Sequence, residues 1–280
     1  MNHLSDDTFE QFLSLAVNHE DIDIRNVTFI DPFGMVGILE AGRFLHSGGV
    51  QKTLLLPESD NVLRYLERMD FFKYAGRYFY LDSGEPELSD KFLRSSQSDV
   101  LLEITPIEKS GDIHFIVGKV KKRAYSILEK HLHYNDRAIG GFIVALSEVC
   151  QNILEHSENT GFVGIQKYYF QKKEKNVVKI AVMDRGIGFK ESLSERVSIA
   201  QDVDAIEKAL VHGLSRHRDE GRGHGLASVR RFVRKWNGKI SIRSGKGKFS
   251  IIPDWAWGRE RERNLTQFPG AQINIMLPEV

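Results

Sequence analysis

Read for the spacing of its apolar positions, the chain divides into two parts. Residues 5–17 carry Phe9, Phe12, Leu13 and Val17 at helical spacing, and VTFI (27–30) is a short apolar run that stops at Asp31-Pro32-Phe33-Gly34. A helix from about Gly34 to His46 is ended by Ser47-Gly48-Gly49, a glycine terminator. KTLLL (52–56) follows as a strand and NVLRYLERMDFF as a helix. Strand, helix, strand and helix with short joints predict a parallel α/β unit. DSGEPELSDKFLRSSQS (82–98) has no apolar period and reads as a linker. Beyond it, LLEITPI (101–107) predicts a strand and residues 113–132 a helix with Phe115, Val117, Val120, Ala124 and Leu128 inward. A second helix spans about 136–156, followed by strands at 163–170, 177–183, 239–244 and 271–278. Helices grouped ahead of hairpin-connected strands predict an α+β sandwich.

Composition narrows the classes without choosing among them. The 280 residues hold one large domain or two ordinary ones, and 41% hydrophobic content suffices for packed cores. A net charge of +1 gives no global pull toward nucleic acid or an anionic membrane. A single cysteine, Cys150, rules out an intrachain disulfide framework or a cysteine zinc cluster. No run of about 18 apolar residues stands out, and MNHLSDDTFEQF lacks the basic and apolar regions of a signal peptide. The expectation is a cytoplasmic protein with neither nucleic-acid nor membrane partners.

Three stretches carry candidate chemistry. In SEVCQNILEHS, Glu148, Asn152 and His156 recur every four residues and share one stripe, while Leu146, Cys150 and Ile153 fall on the buried side. That stripe is either a site or an ordinary solvated face. VVKIAVM runs into Asp184-Arg185-Gly186-Ile187-Gly188-Phe189, where a carboxylate at a strand end precedes alternate glycines. Such a segment accepts a flat ligand on bare backbone, or simply makes a tight turn. Gly221-Arg222-Gly223-His224-Gly225-Leu226 opens a helix, ASVRRFVRKW, and free N–H groups at a helix start suit phosphate. A GxGxG loop alone is weak.

In this order and spacing the three stretches resemble the nucleotide boxes of the GHKL ATPases, the superfamily of DNA gyrase, histidine kinases, MutL and the anti-sigma-factor kinases. PGAQINIMLP resembles their closing strand. The resemblance covers roughly residues 100–280 and implies a Bergerat-type two-layer α/β sandwich, a mixed sheet covered by helices on one face. It implies ATP or ADP with Mg²⁺ as ligands. Asn152 would take the metal and Glu148 would act as general base. Asp184 would receive the adenine amino group, with Gly186 and Gly188 against the ring, and Gly221, Gly223 and Gly225, followed by Leu226, would form the phosphate loop. Arg216 and Arg218, in the lid between the second and third boxes, either reach the γ-phosphate or solvate a loop. His156 matches no catalytic position. Ala271 stands where the family has a threonine supporting the adenine-binding aspartate. Residues 251–268 are an insertion that is either a partner surface, since Trp and Arg favour hot spots, or a packed edge.

VTFIDPFGMVGILEAGRFL and KTLLLPESDNVLRYLERM resemble the STAS domain of anti-sigma-factor antagonists, with Pro32 where those present a phosphorylatable serine. The expected organisation is a STAS-like domain over 1–95 and a GHKL ATP-binding domain over 96–280. The function this implies is a cytosolic Mg-ATP-binding regulatory protein, an anti-sigma-factor-like switch or a serine/threonine kinase with weak ATPase activity. The alternative is a non-catalytic interaction module in which ATP is structural. Expected partners are an intramolecular contact between the two domains and an unidentified regulatory protein; a homodimer stays open. A sensor histidine kinase is disfavoured by the missing acceptor-histidine helix, and a gyrase-like machine by the missing transducer domain.

Overall fold

A computed structural model describes residues 1–82, 84, 99–156, 160–215 and 225–280. The first stretch runs β1 (His3–Leu4), α1 (Phe9–Asn18), β2 (Ile22–Asp23), β3 (Phe29–Ile30), α2 (Pro32–Ser47), β4 (Lys52–Leu55), α3 (Asp60–Arg68), α4 (Phe72–Ala75) and β5 (Phe79–Leu81). Its strands pair in parallel, β1 with β3 and β2–β4–β5 in a second sheet, as crossover connections require. Two expectations shift here. Val17 is exposed and Ala16 takes its inward place on α1. NVLRYLERMDFF is split into α3 and α4 by Asp70, which adopts a φ of 62°.

The helix start on α2 explains the Asp31–Gly34 turn. Asp31 Oδ1 accepts the Gly34 N–H at 3.0 Å, and Pro32 occupies the first turn, where its missing N–H costs no hydrogen bond. The helix therefore begins two residues before the glycine. Every residue from Pro32 to Gly42 is buried.

The second part runs β6 (Val100–Ile107), α5 (Ser110–Ala124), a π-helical turn (Tyr125–Glu129), α6 (Lys130–Leu132), α7 (Asp136–His156), β7 (Gly161–Phe170) and β8 (Lys175–Asp184). It continues with α8 (Gly188–Ser194), α9 (Asp202–His212), α10 (Gly225–Lys235), β9 (Lys239–Gly245), β10 (Gly247–Ile251), β11 (Arg261–Glu262) and β12 (Phe268–Pro278). The seven strands lie in the order β11-β10-β9-β12-β8-β7-β6. Every ladder in this sheet is antiparallel, which corrects the expected mixed pairing. Two long helices, α5 and α7, join β6 to β7, and a down-and-up helical return brings the next strand back reversed. The single helix expected over 113–132 is broken by the π turn. Phe115 is 60% exposed, because the inward stripe of α5 is Ile113, Ile116, Val120 and Ala124.

The sheet is covered on both faces. On one, Ile165, Ile180, Val182, Ile242, Ile273 and Ile275 pack under α5, α7, α9 and α10. On the other, Phe162, Ala181, Met183 and Phe268 join the core formed by residues 4–79, with α2 laid against β7 and β8. Among the described residues one helix, α7, is long and apolar enough to cross a membrane by length and composition; here it packs into the core under the sheet.

The second face is also strongly basic. Lys179, Lys239, Arg243 and Lys248 are all buried on it, and each meets an acid from the first stretch. Lys179 pairs with Asp31 at 2.7 Å, Lys248 with Asp6 at 2.8 Å, Arg243 with Glu10 at 2.5 Å, and Lys239 with Asp6 at 3.5 Å and Asp7 at 3.6 Å. Burial alone would raise the Asp6 pKa, but Lys248 and Lys239 hold it below the ordinary value. Lys179 also faces the rings of Phe29, Tyr168 and Phe170 at 5.5–5.9 Å, which lowers the cost of a buried ammonium. The 251–268 insertion folds down as an edge: Trp255 Nε1 donates to the Asn237 carbonyl, and Arg261 pairs with Asp204 and Glu207 of α9. Trp257, 56% exposed, still donates its indole N–H to Asp7.

Breaking one partner of a buried pair leaves an uncompensated charge, at a cost of about 3–5 kcal/mol. Asp31→Asn, which keeps the side-chain shape, should lower the urea unfolding free energy by that order. Asp31→Asn combined with Lys179→Met should recover most of the loss. A double variant as unstable as the single would show that the Asp31–Lys179 charge pair is not what holds α2 to the sheet.

Candidate functional site

On α7, Leu146, Val149, Cys150 and Ile153 enter the core, and this fixes the rotation that turns Glu148 and Asn152 to the helix rim. Both are partly buried. Burial first, and then Glu155 two turns on, push the Glu148 carboxyl above its ordinary pKa. Asn152 Nδ2 is buried with no hydrogen-bond partner among the described residues. His156 closes the helix, and its side chain lies outside the described residues.

The start of α10 comes directly onto this rim. A Cβ on Gly225 would stand 2.6 Å from Glu148 Oε2 and 3.9 Å from Asn152 Oδ1, so only glycine fits without displacing the carboxylate. The first and third stretches of the expected constellation are thereby brought together. Leu226 packs both on the core under α7 and on the small cluster of Leu193, Ala205 and Ala209 from α8 and α9. Gly221, Gly223, Arg216 and Arg218 lie outside the described residues.

The second stretch sits at the end of β8. Asp184 is buried, its Oδ1 accepts the Gly186 N–H at 2.7 Å, and the backbone of Ala271 also hydrogen-bonds its carboxylate. Burial drives its pKa up to about 7, against the pull of those two backbone N–H groups and of Arg43. Gly188 begins α8 with a φ of 76°. The following Phe189 N–H donates to Ser244 Oγ at 3.2 Å, whose hydroxyl donates to the Gly270 carbonyl at 2.7 Å. Gly270, with a φ of 73°, lies so close to the Asp184 carbonyl that a side chain would collide with it. β12 thus reaches Asp184 with backbone, which is how an alanine can stand at 271. Sequence reasoning passed over Ser244, Gly270 and Gln272, whose amide donates to the Asp184 carbonyl at 3.4 Å. The Pro269-Gly270 pair was the one readable turn signal; nothing in the sequence distinguished Ser244.

With this geometry in place, one span of the chain matches a known family. Residues 140–261 match the family described as histidine kinase-, DNA gyrase B-, and HSP90-like ATPase. The matched ATPase span contains Glu148, Asn152, Asp184 and Gly225 and ends before β12. No curated protein sequence matches the chain. Among solved structures, a histidine kinase domain from Erythrobacter litoralis EL346 blue-light activated histidine kinase is 14% identical, covering 97% of this chain and 92% of that chain, with a TM-score of 0.27. A score that low adds nothing to the fold argument.

Among the described residues no three His, Cys, Asp or Glu side chains gather as a metal cage. Mg²⁺ does not need one. It takes one or two protein oxygens and fills its octahedron with water and phosphate, and the Asn152 amide oxygen, 3.9 Å from where a Cβ on Gly225 would stand, is a donor of that kind.

The Asp184 environment predicts a pH dependence of stability. An unfolded aspartate titrates near about 3.9, so between that value and about 7 the folded chain holds a proton that the unfolded chain has lost. Stability from this group is therefore full at the acid end and is lost as pH rises through about 7. Asp184→Asn, neutral at every pH, should lose less stability than wild type between pH 6 and pH 8 in urea titrations. Identical losses would mean that Asp184 does not take up a proton on folding.

Proposed function

We propose that the chain binds Mg-ATP between α7, the β8 end and the α10 start, and acts as a nucleotide-dependent regulatory protein. The observation that carries this reading is the closeness of Gly225 to Glu148 and Asn152, with a buried carboxylate, Asp184, at the end of β8. In this reading ionised Asp184 accepts the adenine amino group, while Gly186 and Gly188 leave backbone open to the ring. The N–H group of Gly225, at the positive end of the α10 dipole, and those of Gly221 and Gly223, which precede it in sequence, hold phosphate oxygens. Asn152 offers the metal its amide oxygen, and Arg216 and Arg218 lie in sequence where a lid would bring them to the γ-phosphate. When bound, ATP supplies the transferable phosphoryl group and Mg²⁺ offsets its charge.

Glu148 is the general base. Its raised pKa brings it closer to neutrality, which strengthens its pull on a proton from water or from a protein hydroxyl. The reaction is then slow ATP hydrolysis or phosphorylation of a serine or threonine on a regulatory partner. The N-terminal unit is STAS-like and anti-sigma-related in this proposal, and the whole is cytoplasmic. Its Asp31–Gly34 turn offers no hydroxyl, and Asp31, Pro32 and Phe33 are buried, so that turn is not a phosphate acceptor.

At ADP near 100 times its Kd, linkage adds about 2.7 kcal/mol and raises the melting temperature by about 5–10 °C. Glu148→Gln should keep that shift while slowing ATP turnover by at least about 10²-fold. Asn152→Ala should lose both shift and turnover in Mg²⁺. Equal, near-background turnover in wild type and Glu148→Gln would identify ATP as a structural ligand of an interaction module.

A further inference from the structure

Arg185 lies between Asp184 and Gly186 in the chain, yet its side chain belongs to α2. Its Nη1 donates to the Arg43 carbonyl at 3.1 Å and to Ser47 Oγ at 3.0 Å, and its Nε lies 3.4 Å from Glu40 Oε2. Glu40 is wholly buried, and its other oxygen takes Arg43 Nη1 at 2.8 Å. Burial drives the Glu40 pKa up to about 8 while the two guanidinium groups pull it down. Arg43 in turn donates to the hydroxyl and carbonyl of Thr160, with its guanidinium over the Phe162 ring at 5.2 Å. Thr160 precedes Gly161, which is paired with Asp184 across the β7–β8 ladder. The last turns of α2 therefore grip both strands at the edge where the Asp184–Gly188 loop leaves the sheet.

That loop is intrinsically soft. Two of its five residues are glycine, and a flexible segment loses entropy when a ligand orders it. A side chain fixed by a buried carboxylate, a carbonyl and a hydroxyl restricts the backbone of residue 185 before any ligand arrives. We propose that Arg185 is a positioning residue through which α2 holds the Asp184–Gly188 loop ready for adenine, so that the state of residues 1–82 sets adenine affinity. This rests on the reading of Asp184 as the adenine acceptor. Coupling of this kind is reciprocal, so adenine occupancy tightens the hold of α2 in equal measure.

The test uses the full chain, with ADP and inorganic tripolyphosphate titrated calorimetrically in Mg²⁺. Arg185→Gln should weaken ADP about tenfold or more and leave tripolyphosphate unchanged, because the loop meets the base and not the phosphates. Arg185→Lys, which keeps a cation against Glu40, should recover part of the loss. Ser47→Ala removes one hydrogen bond to Arg185 at an exposed position and should weaken ADP about two- to fivefold. Ser47→Ala and Arg185→Lys carry the test if Arg185→Gln does not fold. Wild-type ADP affinity in all three variants, alongside lost affinity in Asp184→Ala, would overturn the inference and spare the adenine site. Equal loss for ADP and tripolyphosphate would overturn it as well, by showing a general disturbance. Full ADP affinity in Asp184→Ala would overturn the adenine-site reading and the inference with it.

Discussion

Five basic side chains at one face of a sheet face five acids from a separate stretch of chain, and the rest of the molecule is arranged around that encounter. Lys179, Arg185, Lys239, Arg243 and Lys248 meet Asp31, Glu40, Asp6 with Asp7, Glu10 and Asp6 respectively. Such a face cannot be left dry and unpaired, since burying an isolated charge costs several kcal/mol per ion. Nor is it left to water: Phe162, Ala181, Met183 and Phe268 interleave with the charges and share a core with α1 and α2. Apolar burial drives the association, and the charge pairs fix its register. A shift by one residue along β8 would present Val178 or Ile180 to Asp31.

This arrangement gives the seven-stranded sheet a second supporting layer. The helices on one side of the sheet supply Glu148, Asn152 and the start of α10. The N-terminal unit on the other side reaches the end of β8, where Glu40 and Arg43 of α2 meet Arg185. Asp184 stands within the field of Arg43 of α2, held by backbone N–H groups from its own loop and from β12. A nucleotide that engages the loop thus acts on a segment already tied to α2, and no separate relay is needed to connect the two parts.

Much of the candidate site's framework was legible because its signals are periodic or local. The α7 period gave both ends of the helix and put Glu148 and Asn152 on one rim, and VVKIAVM ended at the Asp184 that the structure buries. What escaped notice depends on pairing across distant segments. Lys179 in VVKIAVM, and Lys239 and Arg243 in KISIRS, alternate with apolar residues, a two-sided pattern whose polar side ordinarily means solvent. Only the tertiary contact reveals that this side is covered. Glu40, one acid in the apolar run of α2, gave a similar hint that has meaning only once Arg185 is beside it. Phe115 was misplaced because i, i+4 spacing fits two helix faces, and the packing of β6 against α5 selected the other. Ala271 meets Asp184 through its backbone, where side-chain identity is silent.

The central claim is that α2 and the seven-stranded sheet that carries Asp184 unfold as one unit. Native-state hydrogen exchange on the full chain, with and without saturating ADP, tests it directly. If the claim holds, amides in the middle of α2 and amides in β8 exchange with the same free energy, and ADP raises both by the same amount. Added protection in β8 with α2 unchanged would contradict it.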